Sequence, residues 1–271
     1  MKSELFKELT DLINKFHISH YENRQFFITD SELIKKIAEE LNVSEKDSVL
    51  IVGTNPFLMR TLQNAKKIFV FEEEENLQNM INAEKLKNVN LINDIEGIQK
   101  QNFGKILILK SIENEFIVEL LKTKFKIGLL IAPISLSNRL TAFPGLTNYT
   151  QLPVIVQSYC NVEEKMKINS EVFFPKPQDQ HVMIKLIAKK TVRIEEKQHD
   201  LFYEFLKTIF RFKNKDLTKA LGLCIQEMCK NNKKLNKEKI LKNIGEIKVA
   251  KDKVYLLEVE DLGKIFNTLF C

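Results

Sequence analysis

No stretch of the 271 residues approaches the roughly 18 unbroken apolar positions of a membrane span. The opening residues, MKSELFKELTDL, read as a charged amphipathic helix and not as a signal peptide, so a cytoplasmic protein is expected. Cysteine and histidine are sparse as well. Cys160, Cys224, Cys229 and Cys271 form no CxxC pair, and His17, His20, His181 and His199 do not stand near them at metal-ligand spacing. Neither zinc nor a disulfide framework is indicated, and the thiols read as small core hydrophobes or surface groups in a reducing compartment. No Ser/His/Asp or Cys/His constellation supports nucleophilic or general-acid chemistry.

What is present is apolar residue, 44% of the chain, enough to fill one large core and a smaller one. The net charge of +6 is modest but uneven. Residues 189–271 hold 19 Lys and Arg against 12 Asp and Glu, whereas residues 1–188 hold 23 against 24. A basic appendage on a neutral body suits a partner with phosphates, although a Lys-rich composition produces the same count without one.

Short apolar runs recur along the first half: SVLIV (48–52), KIFVF (67–71), VNLIN (89–93), KILIL (105–109) and IGLLIA (127–132). Runs of this kind are strands covered on both faces in a parallel sheet. Helical patterns alternate with them at 31–41, 57–65, 74–86 and 114–123, which is the rhythm of an open α/β sheet whose ligands sit at the C-terminal strand ends. After Pro144-Gly145, two longer runs, PVIVQSYC (153–160) and HVMIKLIA (181–188), read as closing antiparallel strands. From Thr191 helical periodicity takes over, with Leu201, Phe205, Ile209 and Phe212 on one face, then Leu217 and Leu221. The expected division is residues 1–190 and a small helical domain over 191–271.

Several segments, in order, resemble the KsgA-type small-subunit rRNA adenine dimethyltransferases: RQFFITD (24–30), SVLIVG (48–53), FVFEEEENL (69–77), NRLTAFPGLTNYTQLPVIVQSY (138–159), FFPKP (173–177) and FLKTIFRFKNKDLTKAL (205–221). The resemblance implies a Rossmann-like S-adenosylmethionine methyltransferase sheet with a C-terminal helical RNA-binding domain. It also implies N6,N6-dimethylation of adenines near the 3′ end of small-subunit rRNA. Donor contacts are implied for Gln25, Phe26 and Ile28 on the covering segment, for Gly53, for Glu72 at the ribose hydroxyls and for Asp94 at the adenine amine. Plainer readings make the acidic run a solvated helix start and Asp94 a turn residue.

Two motifs depart from the family pattern. Its donor loop is E-I-G-x-G-x-G, and here the chain reads I-V-G-T-N-P-F, with only Gly53 matching. Pro56 has no N–H to donate and fits the first turn of a helix, while Phe57 brings a ring where the pattern has hydrogen and is expected to obstruct the donor. Where the family carries N-L-P-Y, this chain has Leu109-Lys110-Ser111-Ile112, without the amide or the ring that holds a flipped adenine. Asn114 would need a different loop path to replace the amide.

Arg139, Lys207, Arg211, Lys213 and Lys215 are candidate RNA contacts. Lys207, Arg211, Lys215 and Lys219 recur every four residues and would line one face of a continuous helix, with KNNKKLNKEK (230–239) adding charge. The plainer reading is a solvated lysine face. Three functions stay open: a dimethyltransferase with an aberrant site, a catalytically silent factor binding small-subunit rRNA or the pre-ribosomal small subunit, and a nucleic-acid binder recruited elsewhere, as in transcription. A monomer without bound metal is expected, with methyl transfer absent or very weak.

Overall fold

The computed structural model describes residues 4–19, 26–189, 194–247 and 253–271. The first half alternates as the apolar runs require: α1 (Glu4–Lys15), β1 (Phe27–Ile28), α2 (Ser31–Leu41), β2 (Ser48–Val52), α3 (Pro56–Thr61), β3 (Lys67–Phe71), α4 (Glu75–Ala83), β4 (Val89–Ile92), α5 (Ile95–Gln99), β5 (Lys105–Ile108), α6 (Asn114–Leu121) and β6 (Ile127–Pro133). There follow α7 (Ile134–Leu140), α8 (Gln151–Tyr159), β7 (Cys160–Ile168), β8 (Phe173–Phe174), β9 (His181–Ala188), α9 (His199–Ile209), α10 (Leu217–Asn231), α11 (Lys237–Asn243) and α12 (Val259–Phe270).

The chain divides into two compact units, residues 1–137 with 162–188 and residues 138–161 with 189–271. The last break falls between 188 and 189, but the segment 138–161, which the sequence reading kept with the sheet, groups with the C-terminal helices.

In the first unit seven strands lie in the order β4-β3-β2-β5-β6-β9-β7. β2, β3, β4, β5 and β6 pair in parallel, and β9 runs antiparallel to β6 from Ile127↔Ile187 to Pro133↔His181. The unbroken apolar character of the strands follows from burial on both faces. Val49, Ile51, Ile68, Val70, Leu107, Leu129 and Ile131 share one core with Leu9, Leu33, Ile37 and Leu77 of the covering helices. On the opposite face Ile106, Ile108 and Leu130 line, with Ile117, Leu121 and Phe125, an apolar pocket.

The reading of 153–160 as a strand is corrected: Gln151–Tyr159 is helical, and β7 starts only at Cys160. Pro153 sits in the first turn of α8, where a missing N–H costs nothing. Leu152, Val154, Ile155 and Val156 are all buried, and Ser158 Oγ donates to the Val154 carbonyl at 2.7 Å. The β-branched run is thus overridden by a helix surrounded by core.

In the second unit α9 ends at Ile209. A 3-10 turn over Phe210–Phe212 follows, and α10 starts at Leu217. Phe202, Phe205 and Phe266 are fully buried and pack ring on ring at 5.0 and 5.8 Å.

Cys160 and Cys224 are buried and Cys271 is exposed. Burial pushes the Cys160 thiol up to about 12 and raises that of Cys224 as well, which removes the reactive thiolate. A timed thiol titration with an aromatic disulfide reagent should therefore show Cys271 reacting fast, half-buried Cys229 more slowly, and Cys160 and Cys224 only on unfolding. Prompt loss of all four thiols would contradict this packing.

Candidate functional site

In a parallel sheet the side chains just past the C-terminal strand ends converge, and here β3, β2 and β5 are neighbours. Gly53 follows β2 at φ 92, a conformation that suits a residue without Cβ, and its N–H donates to the Phe71 carbonyl at 3.1 Å. A Cβ at Gly53 would stand 3.2 Å from Lys110 Cβ and 3.3 Å from Lys110 Cγ, so the residue pressed against the loop is Lys110. Phe57, expected to obstruct the loop, is instead buried in the core cluster with Leu58 and Met59. Pro56 opens α3 as anticipated. Asn55 caps that helix, accepting from Leu58 N–H at 3.1 Å and donating through its amide to the Ile28 carbonyl at 3.1 Å.

Glu72 follows β3 and is 3% exposed. One carboxylate oxygen accepts from the Thr54 hydroxyl at 2.7 Å, and the other accepts from the N–H groups of Glu73 and Glu74 at 3.0 and 3.4 Å. Lys110 Nζ lies 3.8 Å from Glu72 and 3.3 Å from Glu73, over the Phe71 ring at 5.1 Å from its centroid. A carboxylate offers about four acceptor sites, and three of them take hydrogen bonds here. Glu72 is therefore a buried carboxylate engaged through both oxygens, with Lys110 as its neighbouring counter-cation. S-adenosylmethionine is the donor that the resemblance implies, and a ribose bound at Glu72 would have to compete with Thr54, the two N–H groups and Lys110 for the carboxylate.

The remaining predicted donor contacts scatter. Gln25 lies outside the described residues. Phe26 packs edge-on against His181 at 5.4 Å and Phe173 at 6.4 Å. Burial among these rings lowers the His181 pKa, against the Asp179 carbonyl that bonds its Nδ1. Ile28 is buried, and β1 pairs with β8 through Phe27↔Phe174 and Ile28↔Phe173, which fastens the covering segment to the FFPKP segment. Asp94 caps α5, accepting from Gly97 N–H at 2.6 Å. Its plainer reading, a local turn and cap residue, accounts for its contact.

Leu109 is 4% exposed and belongs to the same core cluster as Phe57, while its N–H donates to the Val52 carbonyl at 2.9 Å. Asn114 opens α6 and so stands beyond the loop that carries Leu109-Lys110-Ser111-Ile112. Sequence reasoning, which noted Lys110 as a cation at this motif, missed Thr54 and the closing of both side chains on Glu72. The strand-end rule puts residues 53–54, 72 and 109–110 at one rim, and a cation beside an acid there was the available signal.

The proposed basic stripe is corrected as well. Lys207 is exposed on α9, but the helix ends two residues later, so Lys207, Arg211, Lys215 and Lys219 do not follow one helical face. Asn214 and Asp216 favour a turn there. Arg211 is ion-paired with Glu227, and Lys213 and Lys215 lie on the turn before α10. Arg139 lies in the last turn of α7. Among the described residues no three His, Cys, Asp or Glu side chains group to hold a metal, and no helix is long and apolar enough to cross a membrane.

Comparison with known proteins agrees with the sheet and helices just described. The family model described as ribosomal RNA adenine dimethylase matches residues 14–258. A relative in Pyrococcus abyssi, named probable ribosomal RNA small subunit methyltransferase A, is 32% identical over 203 residues, covering 73% of this chain and 73% of its own. Its namesake in Pyrococcus furiosus is 29% identical over 249 residues, covering 89% and 88%. The crystal structure of a dimethyladenosine transferase from Plasmodium falciparum superposes with a TM-score of 0.68 at 19% identity, over 88% of this chain and 95% of that one, a likeness of fold.

Proposed function

The chain belongs to the ribosomal RNA adenine dimethylase family, and from that premise we propose that it is a cytoplasmic, monomeric protein that binds small-subunit rRNA without methylating it. S-adenosylmethionine is the methyl donor the family implies. The observation that carries the reading is the Thr54–Glu72–Lys110 cluster, which uses the carboxylate where the donor's ribose would bind. The apolar burial of Leu109 supports it, since an amino group awaiting methylation needs an acceptor at that position. For the RNA side, the support is the name of the relatives' target and the excess of 19 cations over 12 anions in residues 189–271.

Calorimetric titration with S-adenosylmethionine, alongside binding of a small-subunit rRNA 3′ fragment at several salt concentrations, tests the reading. The expected result is no heat at millimolar donor, with RNA bound and released by salt. Saturable donor binding at micromolar levels, followed by methyl incorporation into the fragment, would overturn it. Loss of RNA binding at low salt would overturn its other half.

A further inference from the structure

Four large apolar side chains are exposed among the described residues, and two of them, Phe143 and Leu146, share one turn. Phe143 is 61% exposed, against 39% or less for the other three. The backbone around it is tied from several sides. Ala142 N–H donates to the Arg139 carbonyl at 3.2 Å and Leu146 N–H to the Phe143 carbonyl at 3.2 Å. Gly145, at φ 94, donates to the Tyr255 carbonyl at 2.9 Å. The Gln157 amide reaches the Leu140 and Ala142 carbonyls, each at 2.8 Å. Tyr149, at the end of the turn, is fully buried, with its hydroxyl donating to the Leu257 carbonyl at 2.9 Å. A fixed backbone thus holds an aromatic ring out in water.

Two of these ties run to chain segments that carry lysines. The Tyr149 ring meets Phe210 at 5.8 Å, and Phe210 begins the turn that carries Lys213 and Lys215. Tyr255, the partner of Gly145, lies two residues from Lys253, whose backbone bridges Asp216 beside Lys215. Of the acids in this neighbourhood, Glu258 and Asp261 are occupied in capping the N-terminus of α12, while Asp216 and Glu260 add negative charge that the lysines outnumber only together with their neighbours. An apolar patch of two side chains is far below the roughly 800 Å² per partner of a stable protein interface. It matches one nucleobase, whose flat face stacks on an aromatic ring whatever the sequence.

We propose that Phe143 is a stacking platform for one unpaired base of bound RNA, with Lys213, Lys215 and Lys253 meeting the neighbouring phosphates. The proposal rests on the RNA-binding reading and names the contact that favours single strands over duplex. Its advantage is preorganisation: the ring is already presented, so stacking costs little ordering.

The sequence has no tryptophan, so Phe143→Trp installs a single reporter. Binding of single-stranded oligoadenylate, of a duplex RNA of equal length and of the small-subunit 3′ fragment is measured for the full chain, Phe143→Ala and Phe143→Trp. Phe143→Ala should weaken oligoadenylate on the order of ten-fold and leave the duplex unchanged, and the Phe143→Trp emission should be quenched by oligoadenylate. An unchanged melting temperature in Phe143→Ala separates the effect from folding. Equal affinities for all variants with an unquenched tryptophan would overturn the platform and leave the RNA reading standing, as would a Phe143 that serves a protein partner. Failure of the unaltered chain to bind all three RNAs would overturn both.

Discussion

Phe57→Gly, the change that returns the family's glycine to the loop after β2, should destabilise the protein by about 4–6 kcal/mol and leave it without donor binding. The ring is 4% exposed and packs in the core beneath α3, with Arg60 over it at 5.7 Å from the centroid. Truncating a buried Phe to Ala costs about 3–5 kcal/mol in transfer and cavity terms, and Gly in a helix adds up to about 1 kcal/mol. Against a typical domain stability of about 5–15 kcal/mol, the variant should sit near its unfolding midpoint in mild urea. The measurement is the urea midpoint of Phe57→Gly against the unaltered chain. A loss below about 1 kcal/mol would place the ring outside the core and return it to the donor loop as an obstruction.

The physics behind that prediction marks what was legible in the sequence. The strands at 48–52 and 67–71 and the helix at 31–41 have the predicted bounds, because a strand covered on both faces must be apolar throughout and a helix covered on one face must repeat. The run at 153–160 defeated the same rule. A helix buried on most sides, like α8, is also apolar throughout, and at eight residues length cannot arbitrate. The grouping of 138–161 with the C-terminal helices was equally hidden, since it depends on pairs far apart in sequence, such as Tyr149 with Leu257. At the site, the residue types could be read and the contacts could not. Glu72 was identifiable as a strand-end acid, but its engagement by Thr54 and Lys110 requires β2 to lie between β3 and β5. Phe57 and Leu109 were each recognisable as departures from a motif. That both fill one core required the fold.

Leu109→Asn restores the amide of the family motif and should lose about 3–5 kcal/mol without gaining methyl transfer. The side chain shares its core with Leu107, Leu129 and Ile131, so the exchange removes packed carbon and buries an amide that must find new partners. The backbone offers no easy relief, because the Leu109 N–H is already given to the Val52 carbonyl and holds β5 to β2. Pairing the change with Ile112→Tyr supplies the aromatic ring but leaves Lys110 on Glu72, so labelled methyl incorporation should stay at background in the double variant, with the urea midpoint lowered as in Leu109→Asn alone. Methylation by the double variant would mean that Glu72 releases Lys110 when a donor arrives and that only the adenine pocket had been lost. Background incorporation with the midpoint lowered as stated would mean that the old catalytic positions now hold the core together, so that activity could return only through a repacking of residues 53–57 and 109–112 as a group.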